Sequence, residues 1–189
     1  MTIWFDKLGV VIAAIVAYAA FAAPFATFRA NRIVPGEARS ILDSLPAAVG
    51  PLLLAILVIA AIIAFLKTPL VLRLGASVIA LAALAILIGV AGSFLTPEGN
   101  TFARISPASG FWLLIFAFTL LLADVLTRFN LPPWARLGVL VIAALAIGLL
   151  LASGSWNSLS ILKEYANRAD SFWAEGSKHV TLALGSLAA

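Results

Sequence analysis

The sequence predicts an all-α, polytopic transmembrane helical bundle of about five spanning helices, followed by a periplasmic amphipathic interfacial helix and a truncated sixth helix. Three observations predict it. Of the 189 residues, 63% are hydrophobic and only 11% charged, with a mean hydropathy of +1.14, outside the range of a soluble core with a polar surface. The charges lie between long uncharged runs, as expected where an ionised side chain is costly at the bilayer centre. Each run is long enough, since about 30 Å of hydrocarbon takes roughly 20 helical residues at 1.5 Å each.

The first span covers 8–28 after Asp6 and Lys7, and the second covers 44–66 between Asp43 and Lys67. The third has its core at 74–95 between Arg73 and Glu98, the fourth lies between Arg104 and Asp124, and the fifth follows Arg136 and fades near Ser153. Pro24 and Pro51 predict kinks within or near span ends. Ala17-Tyr18-Ala19 resembles a signal-peptide cleavage site, but the 21-residue apolar run and the Asp6-Lys7 pair predict a retained helix.

Beyond the fifth span, Leu159, Leu162, Tyr165, Ala166, Ala169, Phe172 and Trp173 recur at helical spacing, with Lys163, Glu164, Asn167, Arg168 and Asp170 opposite. Glu164 and Arg168 are spaced as a helical ion pair, Gly176 is placed to stop the helix and Ser177 to cap the next. The division is therefore a five-helix module over 1–157, the interfacial helix over 158–176 and the start of a further membrane helix over 177–189, halfway through a crossing. Small residues at Ala13, Ala17 and Ala20, and at Gly89 and Gly92, suit close helix packing. Val34-Pro35-Gly36-Glu37 reads as a tight turn with Gly36 at positive φ.

Orientation follows from the basic residues at span ends. Lys7, Lys67, Arg73, Arg128 and Arg136 share the amino-terminal side in compact connectors. Arg29, Arg32, Arg39, Arg104, Lys163, Arg168 and Lys178 are spread on the other side among six of the eight acids. The density in 67–73 places the amino terminus in the cytoplasm. Segments 29–43, 96–104 and 153–178 then lie together outside.

The net charge of +4 is scattered and forms no basic stripe, which excludes a nucleic-acid partner. No cysteine and a single His179 exclude thiolate or multi-histidine metal sites, and no phosphate-loop or dinucleotide motif is present. No cofactor, metal or catalytic residue is expected, because the span centres hold no ionisable group from which a hydrolase could be built. Asp124 and Arg128 read as an interfacial ion pair, and His179 as an interfacial side chain. Trp112, Trp156, Tyr165 and Trp173 read as an aromatic belt in preference to a cation–π cage. Arg32, Glu37, Arg39, Arg104, Glu164, Tyr165 and Arg168 are the candidate contacts for a periplasmic partner.

More specific are the polar strings Asn31-Arg32-Ile33-Val34-Pro35-Gly36-Glu37-Ala38-Arg39, Phe102-Ala103-Arg104-Ile105-Ser106 and Ser109-Gly110-Phe111-Trp112. With Leu159-Ser160-Ile161-Leu162-Lys163-Glu164-Tyr165-Ala166-Asn167-Arg168, they resemble the amino-terminal part of permease subunits of bacterial osmoprotectant ABC importers, those for glycine betaine, choline or proline betaine. The likeness is to the branch with additional helices ahead of the permease core, and His179-Val180-Thr181-Leu182-Ala183-Leu184-Gly185 resembles the start of that core. The resemblance implies an inner-membrane location, a cytoplasmic amino terminus, and as partners the lipid bilayer, a permease core, an ABC ATPase subunit and a periplasmic solute-binding protein. The family's core helices and Glu-Ala-Ala coupling loop are absent from this chain, so the implied role is an accessory or scaffold module that does not transport alone. The alternative is an independent small inner-membrane protein with a structural or assembly role.

Overall fold

A computed structural model describes residues 4–188; residues 1–3 and 189, at the outer limits of the first and last expected segments, lie outside the described residues. In chain order the elements are α1 (Lys7–Phe21), β1 (Ala26–Arg29), β2 (Glu37–Arg39), α2 (Ile41–Ser44), α3 (Val49–Phe65), α4 (Leu70–Phe94), β3 (Arg104–Pro107), α5 (Ser109–Arg128), α6 (Pro133–Ala152) and α7 (Ser160–Ala188). Helix dominates at 70%. Among the described residues, α4, α5 and α6 are long and apolar enough to cross a membrane, while α1 and α3 have 15 and 17 residues.

Four helices form a ring. α1 packs on α3 and α5, and α4 packs on the same two. Neighbours run antiparallel: the start of α1 meets the end of α3, where a Cβ on Gly9 would lie 1.8 Å from the Ala64 carbonyl oxygen. The end of α1 meets the start of α5, where a Cβ on Gly110 would lie 2.7 Å from Pro24 O and 2.8 Å from Ala19 O. Backbones this close need glycine, because in lipid the helices are held by van der Waals contact and not by a hydrophobic effect between them. Ile12, Val16, Leu53, Leu57, Leu84, Ile88, Leu114, Phe118 and Leu121 fill the ring. The buried stripe of α1 is Gly9, Ile12, Val16, Ala19 and Ala20, so of the expected small-residue face Ala20 is buried, Ala13 half-buried and Ala17 exposed.

The all-α expectation needs correction, because one end of the ring is closed by a three-stranded antiparallel sheet in the order β2-β1-β3. Ala26 lies between Arg39 and Pro107, and Phe28 between Glu37 and Ile105. The expected first span of 8–28 therefore ends as a helix at Phe21. Pro24 disfavours helical backbone at Ala23, and the chain enters β1 instead of kinking. Its backbone is satisfied by protein, with Gly110 N donating to Pro24 O, Phe25 N to Arg39 O and Ala108 N to Phe25 O. Pro51 also makes no kink; it sits in the first turn of α3, where its missing N–H has no partner to lose.

The 34–37 segment is not the expected tight turn. Gly36 is not at positive φ, and the chain reverses just before it, where Asn31 Oδ1 accepts from Ile33 N and Val34 N. Gly36 is needed for space instead: a Cβ there would lie 2.4 Å from Thr27 Cγ2. Gly176 and Ser177 form no helix boundary either, since α7 runs through both and breaks at Arg168 (φ −133°, ψ 15°).

α6 stands apart from the ring with no buried residue. Its far end is nevertheless anchored. Gly154, at φ +73°, turns the chain so that Trp156 Nε1–H donates to Ala85 O, inside α4, at 2.7 Å. Trp156 thus leaves the expected aromatic belt for a contact with α4. Gly89 and Gly92 make room for this connector: Cβ atoms there would lie 2.6 Å from Ser155 O and 3.0 Å from Leu159 Cδ2.

Candidate functional site

The sheet places three loops around the start of α7. Leu159 is fully buried and forms a parallel bridge with Ile105 at the β3 edge. Ser160 Oγ donates to Ile105 O at 2.8 Å, and Lys163 Nζ donates to Ala103 O at 3.1 Å. The next residue, Glu164, receives two arginines from distant segments. Arg32 Nη2 lies 2.7 Å from both carboxylate oxygens, and Arg104 Nε lies 3.2 Å from Oε1.

The expected Glu164–Arg168 pair therefore does not form. Two guanidiniums outcompete one, and the break at Arg168 removes the regular spacing the pair needs. Of the candidate contacts, Arg32, Arg104 and Glu164 meet. Glu37 and Arg39 pair with each other on β2, and Tyr165 Oη accepts from Trp173 Nε1–H at 2.8 Å.

An open cleft of about 760 Å³ lies between the 96–104 loop and α7, lined by Asn100, Arg104, Asn157, Lys163, Tyr165 and Asn167 among others. Burial raises the Glu164 carboxyl, but the hydrogen bonds and charges of Arg32 and Arg104 outweigh it and hold the group below the usual glutamate range. Burial, then the Arg104 charge, pulls the Lys163 ammonium down. With two arginines on the Glu164 carboxylate and Lys163 beside Arg104, cations outnumber the acid in this cluster. It can meet a carboxylate or an acidic protein face, and among the described residues no group of metal-ligating side chains forms.

A second charged cluster sits at the opposite end of the ring. Arg73, in the first turns of α4, is 1% exposed, and its Nη1 donates to Ala64 O of α3 at 3.2 Å. Its Nη2 lies 3.4 Å from Asp6, at the start of α1, and 3.6 Å from Asp124 of α5. Arg128 closes the square at 3.5 Å from Asp6 and 3.0 Å from Asp124. Asp6 also caps α1 by accepting from Gly9 N. Burial raises its carboxyl, but the Gly9 N–H and the charges of Arg73 and Arg128 win and hold it low.

The Asp124–Arg128 pair was legible from its i,i+4 spacing, but the burial of Arg73 between two acids was not. The available signal was that Asp6, Arg73, Asp124 and Arg128 all fall at same-side span ends and sum to zero charge.

A family model described as the N-terminal domain of the ABC transporter permease YehY matches residues 6–162, well over half of the chain. No curated protein and no solved structure matches it. Arg32 and Arg104 lie inside the matched region, and Glu164 lies just beyond it.

Proposed function

We propose, from the premise that this chain belongs to the family of the N-terminal domain of the ABC transporter permease YehY, that it is the accessory membrane module of a permease for glycine betaine-type osmoprotectants. The family is a membrane component of a transporter and not an enzyme. The observation that carries the reading is that match over 6–162. The likeness of the polar strings around Arg32, Arg104 and Glu164 to osmoprotectant permeases supports the substrate class.

In this reading α1, α3, α4, α5 and α6 all cross the inner membrane, with the amino terminus in the cytoplasm. At 1.5 Å per residue, α1 and α3 reach only about 22 and 26 Å. The hydrogen-bonded backbone at Pro24 and Phe25 completes their side of the ring, since non-helical chain is tolerated at membrane depth when protein satisfies it.

The sheet and the Arg32–Glu164–Arg104 cluster face the periplasm and meet a solute-binding protein, with Glu37, Arg39, Tyr165 and Arg168 on the same face. α6 faces the permease core. The ring is already filled without it, and nothing lies within 4 Å of a Cβ on Gly138 or Gly148. The ATPase engages the core and not this module.

The test is ATP-driven glycine betaine uptake in proteoliposomes holding the intact transporter, with and without residues 158–175. Loss of uptake in the deletion, with ATPase and binding protein present, is the expected result. Undiminished uptake refutes the accessory role, and transport of an unrelated solute class with no betaine uptake refutes the substrate. Single cysteines at Lys67 and Tyr165 test the orientation, because they must label from opposite sides of the membrane.

A further inference from the structure

α7 uses its two halves differently. Up to Glu164 it is clamped to the sheet end by the Ile105–Leu159 bridge, the Ser160 and Lys163 hydrogen bonds to β3 and its approach, and the two arginines on Glu164. No described residue of α7 is buried in either half; what changes is that beyond Arg168 the polar contacts of the side chains are only to α7 itself, such as Lys178 to Glu175 at 2.7 Å.

The change falls at a defined point. Arg168 has φ −133° and ψ 15°, outside the helical region, although neither proline nor glycine stands there. Three aromatic side chains span this break. Trp173 Nε1–H donates to Tyr165 Oη at 2.8 Å. The Tyr165 and Phe172 rings meet edge-on with centroids 5.7 Å apart, as do those of Phe172 and Trp173. In a straight helix, residues eight apart are separated by about 12 Å of rise and roughly 80° around the axis. A hydrogen bond between two such side chains therefore reports the bend.

We infer that α7 is a jointed lever. Residues before Arg168 move with the sheet end, residues after it pivot at Arg168, and the Trp173–Tyr165 hydrogen bond selects the angle. An exposed neutral hydrogen bond contributes little net free energy, so the brace biases the angle without locking it. The distal half of α7 is thereby aimed by the sheet end, and a partner that shifts Arg32 or Arg104 redirects it. This inference stands on the geometry of α7 and does not depend on the transported solute.

The sequence has no cysteine, so introduced pairs carry spin labels without background. In the full chain in lipid nanodiscs, Thr101→Cys with Ile161→Cys reports the clamped half, and Thr101→Cys with Leu184→Cys reports the free half. Leu184 lies about 24 Å beyond the joint, so a change of about 15° moves it by about 6 Å. Trp173→Phe and Tyr165→Phe each remove the hydrogen bond and keep a ring. The expected result is an unchanged Thr101–Ile161 distance distribution and a Thr101–Leu184 distribution that shifts or broadens by about 6 Å, the displacement worked out from the helix rise. An unchanged distal distribution in both variants overturns the inference. So does equal broadening of both pairs, which would mean that α7 detaches as one rigid piece.

Discussion

Replacing Arg73 by methionine tests the energetic role of the cluster opposite the sheet. The side chain of Arg73 is 2% exposed, against 11% for Asp6 and 17% for Asp124. Its removal leaves two largely buried carboxylates sharing Arg128, whose side chain is 46% exposed. Breaking a buried pair by deleting one partner costs about 3–5 kcal/mol; the lower end, about 3 kcal/mol, applies because Arg128 remains and both acids keep some access to water. For a chain of this size that corresponds to a fall in Tm of roughly 6–12 °C. The assay is thermal unfolding in detergent followed by the fluorescence of the five tryptophans.

A second variant separates charge from shape. Asp6→Asn, Arg73→Met and Asp124→Asn together remove every charge from the buried part, while asparagine still caps α1. The cost of removing one partner comes from the uncompensated buried charge it leaves, and the triple variant leaves none, so it recovers most of the loss. A fall of under about 2 °C for Arg73→Met, less than the shift expected for 1 kcal/mol, refutes the argument. A triple variant no more stable than the single one refutes it as well.

Three further outcomes follow from the packing and the ionisation. Gly9→Val drives a side chain into the Ala64 carbonyl, and overpacking at such a contact costs at least about 1–3 kcal/mol; the same thermal assay reads it, and an unchanged Tm would contradict the close approach of α1 and α3. Trp156→Phe removes one donor to Ala85 O and keeps the ring in place, so it lowers stability by only about 0.5–1.5 kcal/mol, whereas Trp156→Ala costs clearly more. The folded Glu164 carboxyl lies below its unfolded value, so the clamp is complete above the ordinary glutamate pKa of about 4.3 and weakens as pH falls below it. Hydrogen exchange of the 160–164 amides accordingly accelerates, relative to the intrinsic rate, on acidification through that range, and Glu164→Gln abolishes the pH dependence.

The five long apolar helices were legible because their ends carry charge: Asp6 and Lys7, Lys67, Arg73, Asp124 and Arg136 stand at or near the starts and stops of helices. The sheet was not. Ala26-Thr27-Phe28-Arg29 and Glu37-Ala38-Arg39 are too short to show a two-residue period, and β1 sits at the end of an apolar run that continues the composition of α1. Arg32 and Glu164 are 132 positions apart, so only the sheet reveals that they meet. The spacing of Glu164 and Arg168 did suggest a local pair, but long-range guanidiniums displaced it. Arg73 looked like a topological marker, and its burial depends on three other helices converging on it.

The unequal lengths of the ring helices have a consequence for the surrounding lipid. α4 is about 37 Å long and α1 about 22 Å at 1.5 Å per residue, so if both cross the bilayer as proposed above, the helical part of the apolar girdle is taller on one flank than on the other. Acyl chains beside the low flank must shorten, or the whole body must lean, and either response has a small elastic cost per ångström of hydrophobic mismatch. That asymmetry fixes which flank of the protein leads when the body tilts. A neighbouring protein with a similarly low rim would relieve the distortion by settling against α1 and α3.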